Sequence, residues 1–282
     1  MHELITEQLV KKLIVSQFPQ WKHFPVEFVH NGGNDNRTFR LGNTMLTRLP
    51  SAELYASQIE KEAKWLPILV KGLSIPITIP LAIGSPELGY PFHWSINKWI
   101  EGSPLNLQDT NKTQIAYTMA KFLKELHAID SSNGPTAGPH NFYRGGNLSQ
   151  YHPETERALT SLEGIIDTFI CRRIWQRAIS SNWEQKGVWV HGDMAIGNLL
   201  QDGISLTGII DFGLLGVGDP ACDLVLAWTY FDGESRQVFA AELALDSATW
   251  ERAKGWALWK ALITYNTPLS KRVLSALLME EL

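Results

Sequence analysis

Between Lys186 and Arg236 the chain has no lysine or arginine, yet it holds seven carboxylates: Asp193, Asp202, Asp211, Asp219, Asp223, Asp232 and Glu234. Two of them follow apolar, β-branched runs. Val188-Trp189-Val190 leads into His191-Gly192-Asp193, and Ile209-Ile210 leads into Asp211-Phe212-Gly213. Such runs, bounded by Gly, Asn and Asp, read as short strands. Any fold must therefore bring Asp193 and Asp211 to strand ends. A buried carboxylate needs a counter-charge. A bound divalent cation is one supply, and oxygen ligands from Asp and Asn favour Mg²⁺ or a similar hard ion. Cap and turn duty accounts for others. Asp219-Pro220 reads as an N-cap followed by Pro at the first helical position, and Asp202-Gly203 reads as a hairpin turn.

The rest of the chain divides by period. Residues 4–17 carry Leu4, Ile5, Leu9, Leu13 and Ile14 at helical spacing. Val26–Val29, Arg37–Leu41 and Thr44–Leu49 are short strand-like runs, with Leu41-Gly42-Asn43-Thr44 as a hairpin signal. A helix is expected over Leu54–Val70, an extended connection at Pro76 and Pro80, and a strand over Phe92–Ile100. Glu101-Gly102-Ser103-Pro104 is a turn and the expected boundary between a first lobe, 1–100, and a second, 101–282. Beyond it, helices are expected over Gln114–Ile129 and Glu154–Ser180, with a Gly/Pro/Ser/Asn-rich loop from 131 to 146 between them. Short strands follow at 188–190, 198–201 and 204–210, then helices to the end. The fold class this implies is α+β, with a small antiparallel sheet ahead of a larger, mainly helical part.

Composition closes off other classes. Of 282 residues, 44% are hydrophobic and 19% charged, enough to bury a core. The net charge of −4 lacks the basic excess of a nucleic-acid binder. The start, Met1-His2-Glu3-Leu4, lacks a signal-peptide pattern, and no apolar run reaches the ~20 residues that span a bilayer. The expectation is a cytoplasmic protein with no nucleic-acid or membrane partner. Two cysteines, Cys171 and Cys222, cannot make a disulfide scaffold or a four-cysteine zinc site, and read as reduced thiols. His127 reads as a satisfied buried histidine. Trp256 and Trp259, three apart on one helical face, read as core, the sharper alternative being the lining of a ligand pocket.

The block His191-x-Asp193-x4-Asn198, then Ile209-Ile210-Asp211-Phe212-Gly213, then Gly218-Asp219-Pro220-x-x-Asp223-Leu224, resembles the aminoglycoside phosphotransferase family in order and spacing. So do Gly32-Gly33-Asn34-Asp35-Asn36, Thr47-Arg48-Leu49-Pro50, Ile59-Glu60-Lys61-Glu62 and the connector Trp94–Gly102. The resemblance spans about residues 20–265. It implies a two-lobed protein-kinase-like fold, with a nucleotide-binding first lobe and a catalytic, acceptor-binding second lobe. It further implies Mg²⁺-dependent transfer of the γ-phosphate of ATP or GTP to a hydroxyl of a small molecule, with an aminoglycoside-type antibiotic as the leading acceptor.

By the same resemblance Asp193 is the catalytic base, and His191 is a hydrogen-bonding residue of its loop rather than a proton shuttle. Asn198 and Asp211 hold Mg²⁺, and Asp223 braces the loop. Gly33 and Asn34 lie over the nucleotide phosphates, although the segment lacks the G-x-G-x-x-G of protein kinases. Asn97, Lys98, Trp99 and Ile100 present backbone groups to the purine. Where the family places a strand lysine, this chain has Arg48, whose planar fork differs from a point charge; the alternative is an exposed strand residue. The partner expected for Arg48 also follows from periodicity. At 100° per residue Glu62 falls between Leu66 and Leu69 on the apolar helix face, while Glu53, Glu60, Lys61 and Lys64 point away. An acid there needs a cation.

The rival acceptor is an ordinary metabolite such as a sugar, amino alcohol or nucleoside analogue. A non-catalytic nucleotide-binding module is a rival of another class, as is metal-dependent hydrolysis. Charge separates the lobes: 10 basic against 8 acidic residues in 1–100, and 15 against 21 in 101–282. A mildly basic first lobe suits polyphosphate, and an acidic second lobe suits Mg²⁺ and a cationic acceptor. Monomer and homodimer are both open.

Overall fold

The computed structural model describes residues 4–30, 33 and 35–281, and the chain forms two compact units. The first comprises Met1–Gly102 together with Thr207–Gly213, and the second Ser103–Leu206 with Leu214–Leu282. The segment carrying Asp211 therefore belongs with the first unit, where a single cut at residue 100 would not place it.

In the first unit, α1 (Glu7–Gln17) starts at Thr6, whose hydroxyl accepts from the Leu9 amide at 3.2 Å. The strands β1 (Val26–Phe28), β2 (Asn36–Leu41), β3 (Met45–Pro50), β4 (Pro80–Gly84) and β5 (Trp94–Lys98) form an antiparallel sheet in the order β1-β2-β3-β5-β4. The Gly42-Asn43 hairpin joins β2 to β3, and Gly42 takes the left-handed φ of +60° that such a turn requires. The stretch after Pro80 is a strand rather than a mere connection. Its Pro sits at the strand's first residue, on the sheet edge, where a missing N–H is tolerated.

Alternation along β3 and β5 sorts the two faces of this sheet. Met45, Leu49, Trp94 and Ile96 join Val10, Leu13 and Ile14 of α1 in an apolar core. Arg48, Ser95 and Asn97 point to the other face, and Arg48 and Ser95 are direct cross-strand partners. The helix α2 (Glu53–Leu69) packs against β3, β4 and β5. Its Lys61 does not simply face solvent: it is half-buried, and burial lowers its ammonium to about 8 against the raising effect of Glu62.

The second unit begins with β6 (Ser103–Pro104) and α3 (Lys112–Ala128). The expected single helix over 154–180 is two: α4 (His152–Ser161) and α5 (Thr168–Ile179). Gly164, at φ +76°, lies in the break, and Asp167 caps the second helix by accepting from the Ile170 amide at 3.0 Å. Then come β7 (Val188–Val190), β8 (Leu199–Gln201), β9 (Leu206–Ile209, which from Thr207 onward belongs to the first unit) and β10 (Gly216–Gly218), and the helices α6 (Leu226–Thr229), α7 (Gly233–Leu243), α8 (Ser247–Ile263) and α9 (Pro268–Met279). β7 pairs antiparallel with β10, and β6 with β8. α3 packs on α7, and α5 and α9 on α8. Cys171 and Cys222 are free and buried. His127 is not satisfied: its Nε2 has no hydrogen-bond partner, and burial lowers its imidazole to about 4, so it is neutral at pH 7. Among the described residues no helix is long and apolar enough to cross a membrane.

Candidate functional site

Two constellations of polar side chains stand out, one in each unit. In the first, the sheet face opposite the apolar core delivers Arg48, whose side chain is 9% exposed. Its Nη1 donates to both carboxylate oxygens of Glu62 at 2.8 Å, and its Nη2 donates to Asp211 Oδ1 at 2.6 Å. Glu62 is 1% exposed on α2. Burial alone would lower the Arg48 pKa, but Glu62 and Asp211 outweigh it and hold the guanidinium above its ordinary value. One planar fork thus binds two carboxylates at once, which a lysine Nζ could not do in the same geometry.

Asp211 has φ +65°, a conformation uncommon outside glycine, and its side chain is 37% exposed. Gly33 is exposed, and a Cβ placed on it would lie 3.9 Å from Asp211 Oδ2. Asn34 lies outside the described residues.

Part of the connector's backbone is already engaged. The amides of Lys98 and Trp99 already donate to the carbonyls of Ile79 (3.0 Å) and Thr44 (2.8 Å). Neither is left to meet a purine. Ile100 is half-buried, and the chain at Gly208 runs so close to it that any side chain there would collide with Ile100. Buried polar side-chain atoms nearby lack partners as well. Asn97 is fully buried with neither amide atom partnered, and the Ser95 hydroxyl and Trp99 Nε1 are likewise orphaned. Orphaned buried polar atoms are rare and call for an explanation.

The second constellation is the loop after β7. Asp223, fully buried, accepts from the His191 amide at 2.6 Å and the Gly192 amide at 2.8 Å. Burial raises its carboxyl, while His191 and the two amides pull the other way. His191 is itself fully buried, and its Nδ1 accepts from the Asp193 amide at 3.2 Å. The Asp193 carbonyl accepts from Asn198 Nδ2 at 2.9 Å, and its carboxylate Oδ2 lies 3.4 Å from the same nitrogen. Asn198 therefore points its amide nitrogen at Asp193 and keeps its carbonyl oxygen as the atom available to a ligand. Asp193 is half-buried, with its backbone held and its carboxylate partly in solvent.

Gly192 makes this loop possible. At φ +84° it occupies left-handed backbone, and a Cβ would press into the Leu214 carbonyl oxygen. Gly192→Ala is expected to cost about 2–3 kcal/mol of stability, read as a lower urea midpoint at unchanged slope. A neutral result would mean the loop is free to rearrange.

Three of the seven acids between Lys186 and Arg236 find cations, from far along the chain. Asp211 meets Arg48, Asp219 meets Arg252 at 2.6 Å, and Asp232 meets Lys112 at 2.9 Å and Arg272 at 3.2 Å. A basic desert in sequence was no measure of charge in space. Asp219 also caps its 3₁₀ turn by accepting from the Ala221 amide, and Asp202 accepts from the Ile204 and Ser205 amides, as turn duty requires. Among the described residues no three His, Cys, Asp or Glu side chains gather as a metal-binding group. A cavity of about 360 Å³ in the second unit, lined in part by Asn147, Trp183, Gly218 and Arg252, contains no member of either constellation.

A model of the phosphotransferase enzyme family matches residues 29–256. No curated protein matches the chain. Among solved structures, the GDP complex of aminoglycoside 2'-phosphotransferase-IIIa shares 19% identity at a TM-score of 0.73, covering 99% of this chain and 100% of that one. The streptomycin–ATP complex of APH(2")-IIa shares 18% at 0.63, covering 98% and 97%. The macrolide 2'-phosphotransferase MphH from Brachybacterium faecium shares 16% at 0.61, covering 96% and 97%. At these identities the likeness shows the kinase-like fold.

Proposed function

Because the chain belongs to the phosphotransferase enzyme family, we propose that it transfers the γ-phosphate of ATP or GTP to a hydroxyl of a small molecule, with Asp193 as the catalytic base. The observation that carries this reading is the hold on Asp193. Asp223 grips the two preceding amides, His191 takes the Asp193 amide, and Asn198 takes its carbonyl, so only the carboxylate is left to act. Phosphoryl transfer needs a positioned group to accept the nucleophile's proton and little covalent chemistry from the protein. His191 is a positioning residue here, since its ring is fully buried and its Nδ1 is engaged.

The donor side of the reading draws on the first unit. Arg48, held charged by two acids, supplies positive charge for the nucleotide phosphates beside the exposed Gly33. The orphaned Asn97 carboxamide, with Ser95 on the same sheet face, supports a polar ligand near the connector, and a purine edge has the matching donors and acceptors. Magnesium fits the donors each unit offers: the Asp211 Oδ2 left by Arg48, and the Asn198 carbonyl oxygen, both hard ligands. When bound, Mg²⁺ neutralises charge on the phosphate oxygens.

Aminoglycosides are the first acceptor class to test and ordinary hydroxylated metabolites the second. The buried cation Arg144, described below, favours the second. The deciding experiment is a nucleotide-consumption screen with ATP and with GTP across aminoglycosides, macrolides, sugars, amino alcohols and hydroxy acids. Acceptor-dependent consumption with one class is expected. Nucleotide binding without consumption for every acceptor would instead make the chain a non-catalytic binding module.

A further inference from the structure

Three arginines among the described residues are at least nine-tenths buried: Arg48 (7% exposed), Arg144 (9%) and Arg252 (3%). Arg48 is neutralised by Glu62 and Asp211, and Arg252 by Asp219. Arg144 forms no ion pair with any described carboxylate. Its guanidinium carbon lies 4.6 Å from the ring centre of Trp259, 5.2 Å from Trp256 and 5.6 Å from Tyr151. Its one side-chain hydrogen bond runs from Nη1 to the Tyr151 hydroxyl at 3.4 Å, and its Nε is buried without a partner. The nearby acid Glu154 is engaged by the Trp259 indole N–H at 2.7 Å.

Three aromatic faces offset part of the cost of burying a cation. Beyond the one long bond to the Tyr151 hydroxyl they supply no oxygen acceptor, and none of the paired carboxylate or phosphate oxygens that a guanidinium fork is shaped to receive. The backbone that delivers Arg144 is strained as well. Phe142 (φ +50°) and Tyr143 (φ +58°) are consecutive non-glycine residues in left-handed conformation, followed by Gly145 at +75°. The segment is held in place nonetheless. Asn141 Nδ2 donates to the Arg144 carbonyl at 3.0 Å, the Tyr143 amide donates to the Gly138 carbonyl, and the Tyr151 hydroxyl donates to the Phe142 carbonyl. Strain maintained by surrounding contacts is a mark of ligand-binding segments. The location is informative too, because a Cβ on Gly192, next to Asp193, would lie 3.1 Å from the Arg144 Cβ.

We propose that Arg144, caged by Tyr151, Trp256 and Trp259 beside the Gly192-Asp193 loop, is the anion-recognising residue of the acceptor site, so that the molecule it takes presents an oxyanion, carboxylate or phosphate, to the guanidinium. The inference rests on the phosphotransfer reading and deepens it. A polycation is disfavoured at such a position, and a hydroxylated acid or phosphate ester is favoured. The oxyanion has two possible sources, the acceptor's own acidic group and the phosphoryl group once transferred.

The test uses the full-length protein without nucleotide, titrated separately with inorganic phosphate and with acetate at matched ionic strength. Tryptophan emission and melting temperature are followed. The wild type is expected to give a saturable emission change and a rise in Tm, as a ligand of the folded state must. Arg144→Met should lose both. Arg144→Lys, which keeps the charge but not the fork, should weaken them by roughly tenfold. Should the Met variant not fold, the Lys variant carries the comparison. A response to both anions, or to acetate alone, assigns the site to an acidic group of the acceptor; a response to phosphate alone assigns it to the transferred group. An undiminished response in both variants, or none in the wild type, overturns the proposal. No turnover is needed, so loss of this inference leaves the phosphotransfer reading standing, and a failed acceptor screen leaves the anion site standing.

Discussion

Asp193→Ala is expected to lower kcat by roughly 10²- to 10⁴-fold, the usual range for a positioned base, while nucleotide affinity stays within a factor of a few. The loop should survive the change. Asp223 holds the amides of His191 and Gly192, and Asn198 holds the residue 193 carbonyl; none of these bonds needs the Asp193 carboxylate. The lost rate then reports the missing proton acceptor, not a collapsed site. Single-turnover measurements with the acceptor found in the screen separate the two, because chemistry slows while nucleotide Kd does not. If Asp193→Ala keeps substantial turnover, Asp193 is not the base.

The second large effect is on stability. Arg48→Met should cost about 3–5 kcal/mol, since it strands Glu62, 1% exposed, without its counter-charge. The double variant Arg48→Met/Glu62→Leu should recover at least about half of that loss, because removing both members of a buried pair is far less costly than removing one. Urea unfolding of the wild type, both single variants and the double variant gives the coupling. Additive losses would mean that the 2.8 Å contacts contribute little. Arg48→Lys is the finer probe: one ammonium cannot reproduce a fork shared by Glu62 and Asp211, so an intermediate stability is expected.

That pair marks how far the sequence could be read. Helical phase puts Glu62 on the apolar face of α2, where a buried acid requires a cation, and the family resemblance points to Arg48 as that cation. The third member follows from neither. Asp211 lies 163 residues beyond Arg48, and only the tertiary fold makes it Arg48's second partner. The same limit applies to Asp211, Asp219 and Asp232, whose cations come from positions 48, 112, 252 and 272. The helix expected over 154–180 conceals a break because Gly164 alone is a weak interruption; the cap at Asp167 is the added signal. Lys98 and Trp99 show a different limit. Strand propensity locates the connector, but which amides stay open depends on neighbours at Ile79 and Thr44. Arg144 gave no warning at all: within a loop rich in Gly, Pro and Asn, an arginine reads as solvated, and its burial under three rings comes from residues 7 to 115 positions later.

The return of Thr207–Gly213 to the first unit has a consequence for how this gene can be divided. A fragment ending at residue 102 would lack the backbone that meets Ile77 through Ile209, with the Ile209 amide donating to Pro76 at 2.9 Å, and would leave one prong of the Arg48 fork without Asp211. The unit is contiguous in space but not in the reading frame. Domain swaps and split reporters built at the 102/103 junction would separate parts of one folded body. A transplant that preserves it must carry 207–213 along, for instance by circular permutation.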